Sequence, residues 1–409
     1  MQYNINETVL KNKLRIFHID AHSNDISIIV SIKAGPLYEK ESILGIAHLI
    51  EHMLFKGTKK RLSRDTIYNE INLLGDQFTC HTEKDNIILG FRVILEDFDY
   101  TLDLISDILL NSRMDRREIE KEKKIVLDEI RNRIDDNYIY LWDSFIEKLY
   151  KGSKFARPEI GYVNTVKSLT ADQVVNFYKN VFNPSNMTIF VVGKEDFNVV
   201  VEKIKHYFKK EEGRYLTIPN IKIPKNSKKI IRIKRGIENI HLMIGRILPN
   251  KDSYAIEILS NVLARVVSDK ILNEEPISYT RWVYYYRNRF SGALIAYATF
   301  DPSNYKRAKE LILNVFSDFS KGNIPDEYIK DSIISKKKSH ILKHATTFDI
   351  AKTALEFWSN GSIYDINFYI KKLEKLTIKQ IKLCAKKNIK LNDMTEISLG
   401  NLATDLAGV

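Results

Sequence analysis

The sequence predicts two α+β domains, each with helices packed on a largely antiparallel sheet. Three observations favour this fold class. The chain has 409 residues, more than one compact core usually holds, so two domains of about 200 residues each are expected. Short segments rich in β-branched residues alternate with longer helical patterns along the chain. A strand followed by a helix also recurs about 206 residues further on, which indicates a duplicated scaffold.

The predicted elements follow the same order in both halves. In the first half, strands and one helix are expected at 14–19, 26–32, 88–94, 100–109 (the helix) and 188–192. In the second half, strands are expected at 230–233, 240–244 and 294–300, and a helix at 305–316. A run of charged residues and Pro from 209 to 229 interrupts the hydrophobic pattern, which is typical of a linker. We therefore expect domains at 1–212 and 229–409, joined by a linker at about 213–228.

The composition favours a soluble protein of the cytoplasm. Hydrophobic residues make up 44% of the chain and charged residues 28%, as in ordinary globular proteins. The net charge of +12 comes from Lys and Arg spread among Asp and Glu without a recognisable binding module, so no nucleic-acid partner is expected. Cys80 and Cys384 are the only cysteines, which favours a reducing compartment. The N-terminal residues lack a secretory signal pattern, and no membrane span is expected.

The pattern His48-x-x-Glu51-His52 is the most informative feature of the chain. The run around it lacks Pro and mixes apolar and polar residues, as a helix does. Residues four apart share a helix face, so both imidazoles can bind one metal ion. Glu51 lies on the same side and can take a proton from the attacking water without binding the metal. The pattern therefore predicts the hydrolytic zinc site of a metallopeptidase.

A third zinc ligand has to come from another segment, because catalytic zinc usually takes three protein ligands. The segment 115–134 has the spacing of an amphipathic helix and contains Glu118, Glu122 and Glu129. Glu122 and Glu129 are two helical turns apart and share a face. One of these carboxylates can complete the ligand set while another supports a ligand from behind. The spacing leaves that choice open.

These residues together resemble the M16 (pitrilysin, or insulinase-like) peptidase family, and in particular its short branch similar to mitochondrial processing peptidase. The resemblance rests on Ala34-Gly35 with Glu39, on G-I-A-H-L-I-E-H-M-L-F-K-G-T at 45–58 and on E-K-K-I-V-L-D-E-I at 122–130. The 76 residues between His52 and Glu129 also match the family's spacing. The similarity covers nearly the whole chain, strongest over 14–195 and weaker after about 230.

The resemblance implies a role for each site residue. It makes Glu51 the catalytic base, it makes His48, His52 and Glu129 the zinc ligands, and it makes Glu122 the supporting acid. It also implies that two domains of similar topology close like a clamshell. In the second half, residues 256–260 hold no histidine pair, so only the first half is expected to bind metal.

In the resembling family, a peptide substrate adds as a strand to a sheet edge near the zinc. Residues 78–82 occupy that place, so Thr79, Cys80 and Thr82 are expected to contact the peptide. The family commonly has Asn-Ala-x-Thr here. Thr79 and Cys80 depart from this pattern and Thr82 keeps it, so backbone pairing is expected without the side-chain contact of the Asn.

The second half departs from the family pattern at a position that, in the family, binds the substrate backbone. Active members usually carry an Arg followed seven residues later by a Tyr, whereas this chain has Leu272 and Tyr279. Leucine cannot donate a hydrogen bond, so either Arg281 or Arg265 replaces the missing side chain, or a homologous partner supplies it. We favour a heterodimer in which this chain carries the metal, over a homodimer.

The sequence thus predicts a zinc endopeptidase of short or unfolded peptides, with leader or precursor processing among its possible tasks. The alternative is a non-catalytic structural or substrate-holding subunit, but such subunits generally lose the metal motif. Other histidines are expected to be uninvolved. His81 is interpreted as a groove or surface residue, and His340 and His344 as solvent-facing or helix-capping residues.

Overall fold

The computed structural model describes residues 3–75, 77–209, 213–249, 253–362 and 365–401. Residues 210–212, which contribute to the linker signal, lie outside this description. The strands of the described residues are β1 Ile5–Val9, β2 Arg15–Asp20, β3 Asp25–Ile32, β4 Phe78–Thr82, β5 Ile87–Ile94, β6 Met187–Gly193, β7 Lys229–Lys234, β8 Ile240–Leu248, β9 Arg281–Arg287, β10 Gly292–Phe300 and β11 Thr395–Gly400.

The α-helices of the first half of the chain are α1 Ile46–Leu54, α2 Arg64–Leu73, α3 Phe98–Asn111, α4 Arg116–Asp135, α5 Asn137–Leu149, α6 Val163–Ser168, α7 Ala171–Val181 and α8 Phe197–Tyr207. Those of the second half are α9 Ser253–Ser268, α10 Tyr305–Lys321, α11 Asp326–Leu342, α12 Thr347–Ser359, α13 Ile366–Glu374 and α14 Ile378–Asn388. A π-helical segment, Asp269–Glu274, continues α9.

The strands form two sheets that share the same internal order, apart from the additional edge strand β1 of the first sheet. The first sheet runs β1-β2-β6-β3-β5-β4 and the second runs β7-β11-β8-β10-β9. Each sheet contains one parallel pair, β2 with β6 and β7 with β11, and its other pairs are antiparallel. The prediction of two α+β domains with a repeated scaffold is confirmed. The metal-motif helix α1 and helix α9 follow the same strand position in their respective halves.

Central strands are buried on both faces because both faces are covered. Every residue of β6 and β11 is buried, as expected of strands enclosed between two layers. One covering layer comes from the opposite half. Helix α12 packs on β3 and β6 of the first sheet, and helix α5 packs on β8 and β11 of the second. Each half therefore contributes one helix that covers the sheet of the other half, an arrangement called here the helix exchange.

The exchanged helices bring apolar side chains into the other half's core. Ala351 and Leu355 of α12 belong to a cluster that includes Phe190 of the first sheet. Leu141 and Phe145 of α5 belong to a cluster with Met243, Ile295 and Ile397 of the second sheet. Burial of such side chains contributes roughly 1.5–3 kcal/mol each. The interface between the halves is thus a hydrophobic core.

A polar contact fixes the start of α12 on the first sheet. Asp25, at the beginning of β3, accepts hydrogen bonds from Thr347 Oγ1 (2.7 Å) and from Arg92 Nε (2.6 Å). Thr347 Oγ1 also lies 2.7 Å from Ser27 Oγ. This cluster anchors a second-half helix to a first-half strand.

Residues 213–228 join the two sheets without regular secondary structure. The domain limits at 212 and 229 remain a prediction. The prediction that His340 and His344 face solvent is wrong, because both side chains are buried. His340 stacks on Tyr369 with ring centroids 4.0 Å apart, and His344 Nδ1 lies 2.6 Å from the carbonyl oxygen of His340. The capping part of that interpretation agrees with this contact at the end of α11.

Candidate metal centre

Helices α1 and α4 pack against each other and place the predicted metal residues. The apolar residues of α1, such as Leu49, Ile50 and Met53, are buried in the first-half core. This packing leaves His48 and His52 on the opposite face, directed at α4. Their rings are neighbours, with centroids 4.8 Å apart. Four-residue spacing on a helix therefore produces the pair that the sequence predicts.

Glu129 of α4 completes a three-residue cluster. Its Oε2 atom lies 3.0 Å from His48 Nε2 and 3.5 Å from His52 Nε2. Donor atoms of the three side chains all lie within 4.8 Å of one another. Two imidazole nitrogens and a carboxylate oxygen are a donor set of catalytic zinc, and tetrahedral ligands of zinc are about 3.3 Å apart. The residues present therefore fit a zinc ion.

Glu122 lies behind the cluster, two turns before Glu129. Its side chain is 3% exposed. Glu122 Oε2 is 3.2 Å from His52 Nδ1, and Glu122 Oε1 forms an ion pair with Lys56 Nζ at 2.6 Å. The contact with Nδ1 orients the imidazole so that Nε2 faces Glu129. The structure brings Glu122 to the ring that it is expected to support.

Glu51 lies beside the cluster rather than in it. Its Oε2 atom is 3.4 Å from His48 Nδ1 and accepts a 2.6 Å hydrogen bond from Thr82 Oγ1. Burial acts to raise the pKa of Glu51, but the hydrogen bonds from His48 and Thr82 outweigh it and hold the pKa below its usual value. The carboxylate is therefore ionised and able to accept a proton.

The two charged neighbours of His48 set its protonation in the absence of a metal. Burial acts to lower the pKa of His48, but hydrogen bonds with Glu129 and Glu51 raise it to about 9. The hydrogen bond with His48 also holds the pKa of Glu129 below its usual value. The cluster is thus held together by charge as well as by packing.

A buried carboxylate caps the N-terminus of α1. Glu39 accepts hydrogen bonds from the backbone N–H groups of Gly45 (2.8 Å) and Ala47 (2.9 Å). Gly45 has a φ of 91°, and a Cβ there would lie 2.5 Å from the carbonyl oxygen of Ile160. Only glycine fits this approach. These roles of Glu39 and Lys56 were not predicted from the sequence, although both residues belong to the stretches that carry the family resemblance.

Strand β4 is the edge of the first sheet and pairs only with β5 among the described strands. Thr79, Cys80 and Thr82 all belong to it, and Thr82 contacts Glu51. The strand edge that is predicted to bind peptide therefore contacts the candidate base, Glu51, through the hydroxyl of Thr82. His81 is exposed on the same strand, in agreement with its interpretation as a groove or surface residue.

The predicted substrate residues of the second half lie apart from this cluster. Tyr279 is 87% exposed. Arg265 pairs with Asp331 at 2.8 Å, and Arg281 donates to Ser268 Oγ at 3.1 and 2.6 Å. In the part of the chain that the structure describes, none of the three contacts the metal-binding residues.

Comparison with known families identifies the protein class. The insulinase family (peptidase family M16) matches residues 16–161, and the peptidase M16 inactive domain matches residues 168–335. The chain belongs to the M16 peptidase family. The first M16 match contains the whole candidate metal cluster. The predicted resemblance is confirmed.

Individual relatives agree with this assignment. An uncharacterized zinc protease of Mycobacterium leprae is 25% identical over 92% of this chain and 88% of its own length. The mitochondrial-processing peptidase subunit beta of Dictyostelium discoideum is 28% identical over 49% of this chain and 43% of its own length. A protease from Helicobacter pylori has the same fold, with a TM-score of 0.90, 19% identity, and coverage of 97% of this chain and 99% of that one.

None of the helices described is both long enough and apolar enough to span a membrane.

Proposed function

We propose that this M16 protein is a zinc endopeptidase of short or unfolded peptides. The observation that carries the proposal is the convergence of His48, His52 and Glu129 within 4.8 Å of one another, with Glu51 beside them. A bound zinc ion supplies Lewis acidity, which makes water more acidic and polarises a peptide carbonyl. His48, His52 and Glu129 hold the ion, and Glu122 keeps the ring of His52 in its binding orientation.

Glu51 moves the proton in the proposed reaction. Its Oε atoms accept a proton from the attacking water and return it to the amine that leaves when the peptide bond breaks. The Thr82 hydroxyl fixes the direction of the carboxylate through its 2.6 Å hydrogen bond. Glu51 is near the ring of His48 but is directed at Nδ1, on the side of the imidazole away from Glu129. This geometry suits a base that does not bind the metal.

We propose that β4 holds the peptide by adding it as a further strand. The open edge of β4 offers backbone N–H and C=O groups, which recognise a peptide with little demand on its side chains. Thr79, Cys80 and Thr82 then lie along the bound chain. The peptide bond next to Thr82 comes close to Glu51. This arrangement explains how an unfolded peptide is selected over a folded protein.

We further propose that the enzyme works as two chains, with this chain as the metal-bearing subunit. Arg265 and Arg281 are engaged within the second half, so neither is free to replace the side chain absent at Leu272. Tyr279 is available on the surface to a second chain. The relative from Dictyostelium is named as a subunit. We propose a cytoplasmic location, since Cys80 and Cys384 are both free thiols.

Two measurements on the purified protein test this proposal. Metal analysis is expected to find one zinc per chain, and a mixed peptide library analysed by mass spectrometry is expected to show internal cleavage. Glu51→Gln serves as the matched control, because it removes the base and leaves all three ligands in place. Cleavage by this variant at the parental rate would exclude the mechanism. A protein without zinc and without peptidase activity would exclude the function.

A further inference from the structure

A cavity of about 650 Å³ lies between the two halves of the chain. One wall is the edge strand β4 with Thr79 and Thr82, and another is β9, the edge strand of the second sheet. Helices α9, α11 and α12 close the remaining sides. Thr82, which lines the cavity, also hydrogen-bonds Glu51, so the cavity lies next to the candidate base and extends into the second half.

Arg287, the last residue of β9, lines this cavity. Its Nε atom is buried, and among the described residues it has no hydrogen-bond partner. No carboxylate among the described residues lies within ion-pair distance of its guanidinium group, whereas Arg265 and Arg307 in the same half both have one. A partly buried cation without a counter-charge is costly. Such a group is typical of a site that receives an anion from a ligand.

The acids that share the cavity do not neutralise Arg287. Glu159 pairs with Lys84 at 3.0 Å. Glu257 accepts a 2.7 Å hydrogen bond from Tyr369 and lies 3.9 Å from Lys336. Of the remaining acids, Glu83 lies 3.6 Å from His81, Asp85 contacts Asn86, and Glu356 is exposed on α12. The guanidinium remains open to an incoming carboxylate.

A second unpartnered donor lies on the same strand face. Tyr285 is two residues before Arg287, and alternate residues of a strand share a face. The hydroxyl of Tyr285 is buried and has no hydrogen-bond partner in the part of the chain that the structure describes, and the residue lines the same cavity. An Arg fork and a hydroxyl on the same strand face can together bind the two oxygens of a carboxylate.

We propose that Arg287, together with the Tyr285 hydroxyl, binds a carboxylate of the peptide at a site several residues away from the cleaved bond. This inference rests on the proposed function, because the peptide on β4 enters the cavity at Thr82. If this site binds a carboxylate, the preferred substrates are peptides that carry an acidic group several residues away from the cleaved bond. The carboxylate comes either from an Asp or Glu side chain or from the C-terminus of the peptide.

Binding measured without turnover tests the site apart from the chemistry. Zinc-loaded protein with Glu51→Gln is titrated with fluorescent peptides, and the dissociation constant is read by anisotropy. The peptides are compared in pairs, Asp against Asn at each position and a free against an amidated C-terminus. One pair is expected to differ by about 10- to 100-fold in Kd. The pair that differs identifies the source of the carboxylate.

Substitution of the arginine gives the decisive comparison. Arg287→Gln is expected to abolish the difference within that pair and to leave the neutral peptide's Kd unchanged. Arg287→Lys keeps the charge but not the fork, so part of the preference should remain. Arg307→Gln, which removes an exposed arginine paired with Glu275, is the matched control and should preserve the full preference.

The outcomes separate this inference from the proposed function. Cleavage without any preference for a carboxylate, unchanged by Arg287→Gln, would overturn the site and leave the peptidase standing. Carboxylate-selective binding that depends on Arg287, in a protein whose parental form cleaves no peptide either alone or with the M16 partner chain, would support the site and refute the peptidase. Equal weakening of acidic and neutral peptides by Arg287→Gln would show a structural role and overturn the inference.

Discussion

The hydroxyl of Thr82 donates a 2.6 Å hydrogen bond to the carboxylate of Glu51. One residue is on the sheet edge and the other on the metal-motif helix, so the surface proposed to bind peptide also holds the proposed base in place. In the proposed function, the same strand would therefore set both the position of the peptide and the orientation of the base.

Thr82→Val removes this hydrogen bond and keeps the side-chain shape. We expect kcat to fall about 10-fold, because the base loses a group that orients it, as for other supporting contacts. Zinc content and melting temperature should stay at the parental values. Steady-state kinetics together with metal analysis check this result. An unchanged kcat would show that His48 alone is sufficient to orient Glu51.

Glu129→Gln should release the zinc, because it removes a charged ligand from a set of three. His48→Ala and His52→Ala are expected to behave in the same way. Metal analysis after dialysis measures the loss, and circular dichroism checks that the fold remains. Zinc retained at one ion per chain after Glu129→Gln would instead make Glu118 or Glu122 the ligand.

Glu122→Gln should have a milder effect than loss of a ligand. The variant keeps a hydrogen-bonding group near His52 Nδ1 but loses the charge that also pairs with Lys56. Supporting groups of this kind typically change metal affinity or activity about 10- to 100-fold. Competition with a zinc chelator measures the affinity. Lys56→Met is the companion variant, and a complete loss of zinc from Glu122→Gln would place that residue among the ligands.

Asp25→Asn should weaken the attachment of α12 to the first sheet and remove a source of acid sensitivity. Burial acts to raise the pKa of Asp25, but hydrogen bonds from Ser23, Thr347 and Arg92 outweigh it and lower the pKa to about 2. Because the folded state lowers the pKa of Asp25, the ionised carboxylate contributes its full stabilisation at pH values above the ordinary pKa of 3.8. This stabilisation is lost as the pH falls towards about 2.

Denaturant unfolding at several pH values measures this contribution. At pH 7 we expect Asp25→Asn to cost roughly 1–3 kcal/mol, as charge-assisted hydrogen bonds do. The difference from the parent should shrink between pH 4 and pH 2. Asp172→Asn, at an exposed pair with Arg116, is the control and should change stability by less than about 1 kcal/mol. A pH-independent difference would contradict the assigned role of the Asp25 charge.

The chain purified alone should bind zinc but cleave peptides slowly, because Leu272 offers no donor for the substrate. A related M16 protein that lacks the metal motif but carries the Arg and Tyr segment should raise kcat/KM by roughly 100-fold, the typical worth of one such donor. Full activity of the isolated chain, abolished by Arg281→Ala or Arg265→Ala, would refute the partner and show replacement within the chain.

The parts of the site that depend on local spacing could be predicted from the sequence. His48 and His52 share a helix face whatever the tertiary structure is. The family resemblance selected Glu129 from the three glutamates considered as ligands in one helix. The strands predicted from short β-branched runs are present in the two sheets, whereas β1, β9 and β11 were not predicted.

Features that depend on distant contacts could not be predicted. The exchange of α5 and α12 requires knowledge of which sheet face each helix covers, and both helices have ordinary amphipathic patterns. The open guanidinium of Arg287 is defined by the lack of a carboxylate within ion-pair distance among the described residues, which sequence alone does not indicate. The burial of His340 and His344 was missed because α11 carries no clear apolar stripe, so its sequence does not indicate which side faces the core.

The helix exchange also constrains how the chain folds during synthesis. The first sheet needs α12, residues Thr347–Ser359, to cover its second face, so a ribosome must translate most of the chain before that sheet can be completed. An N-terminal half that emerges early carries an uncovered apolar surface while translation continues at about 5–20 residues per second. Folding of both halves is therefore expected to be concerted and late, and chaperones that shield apolar chains should associate with the nascent first half.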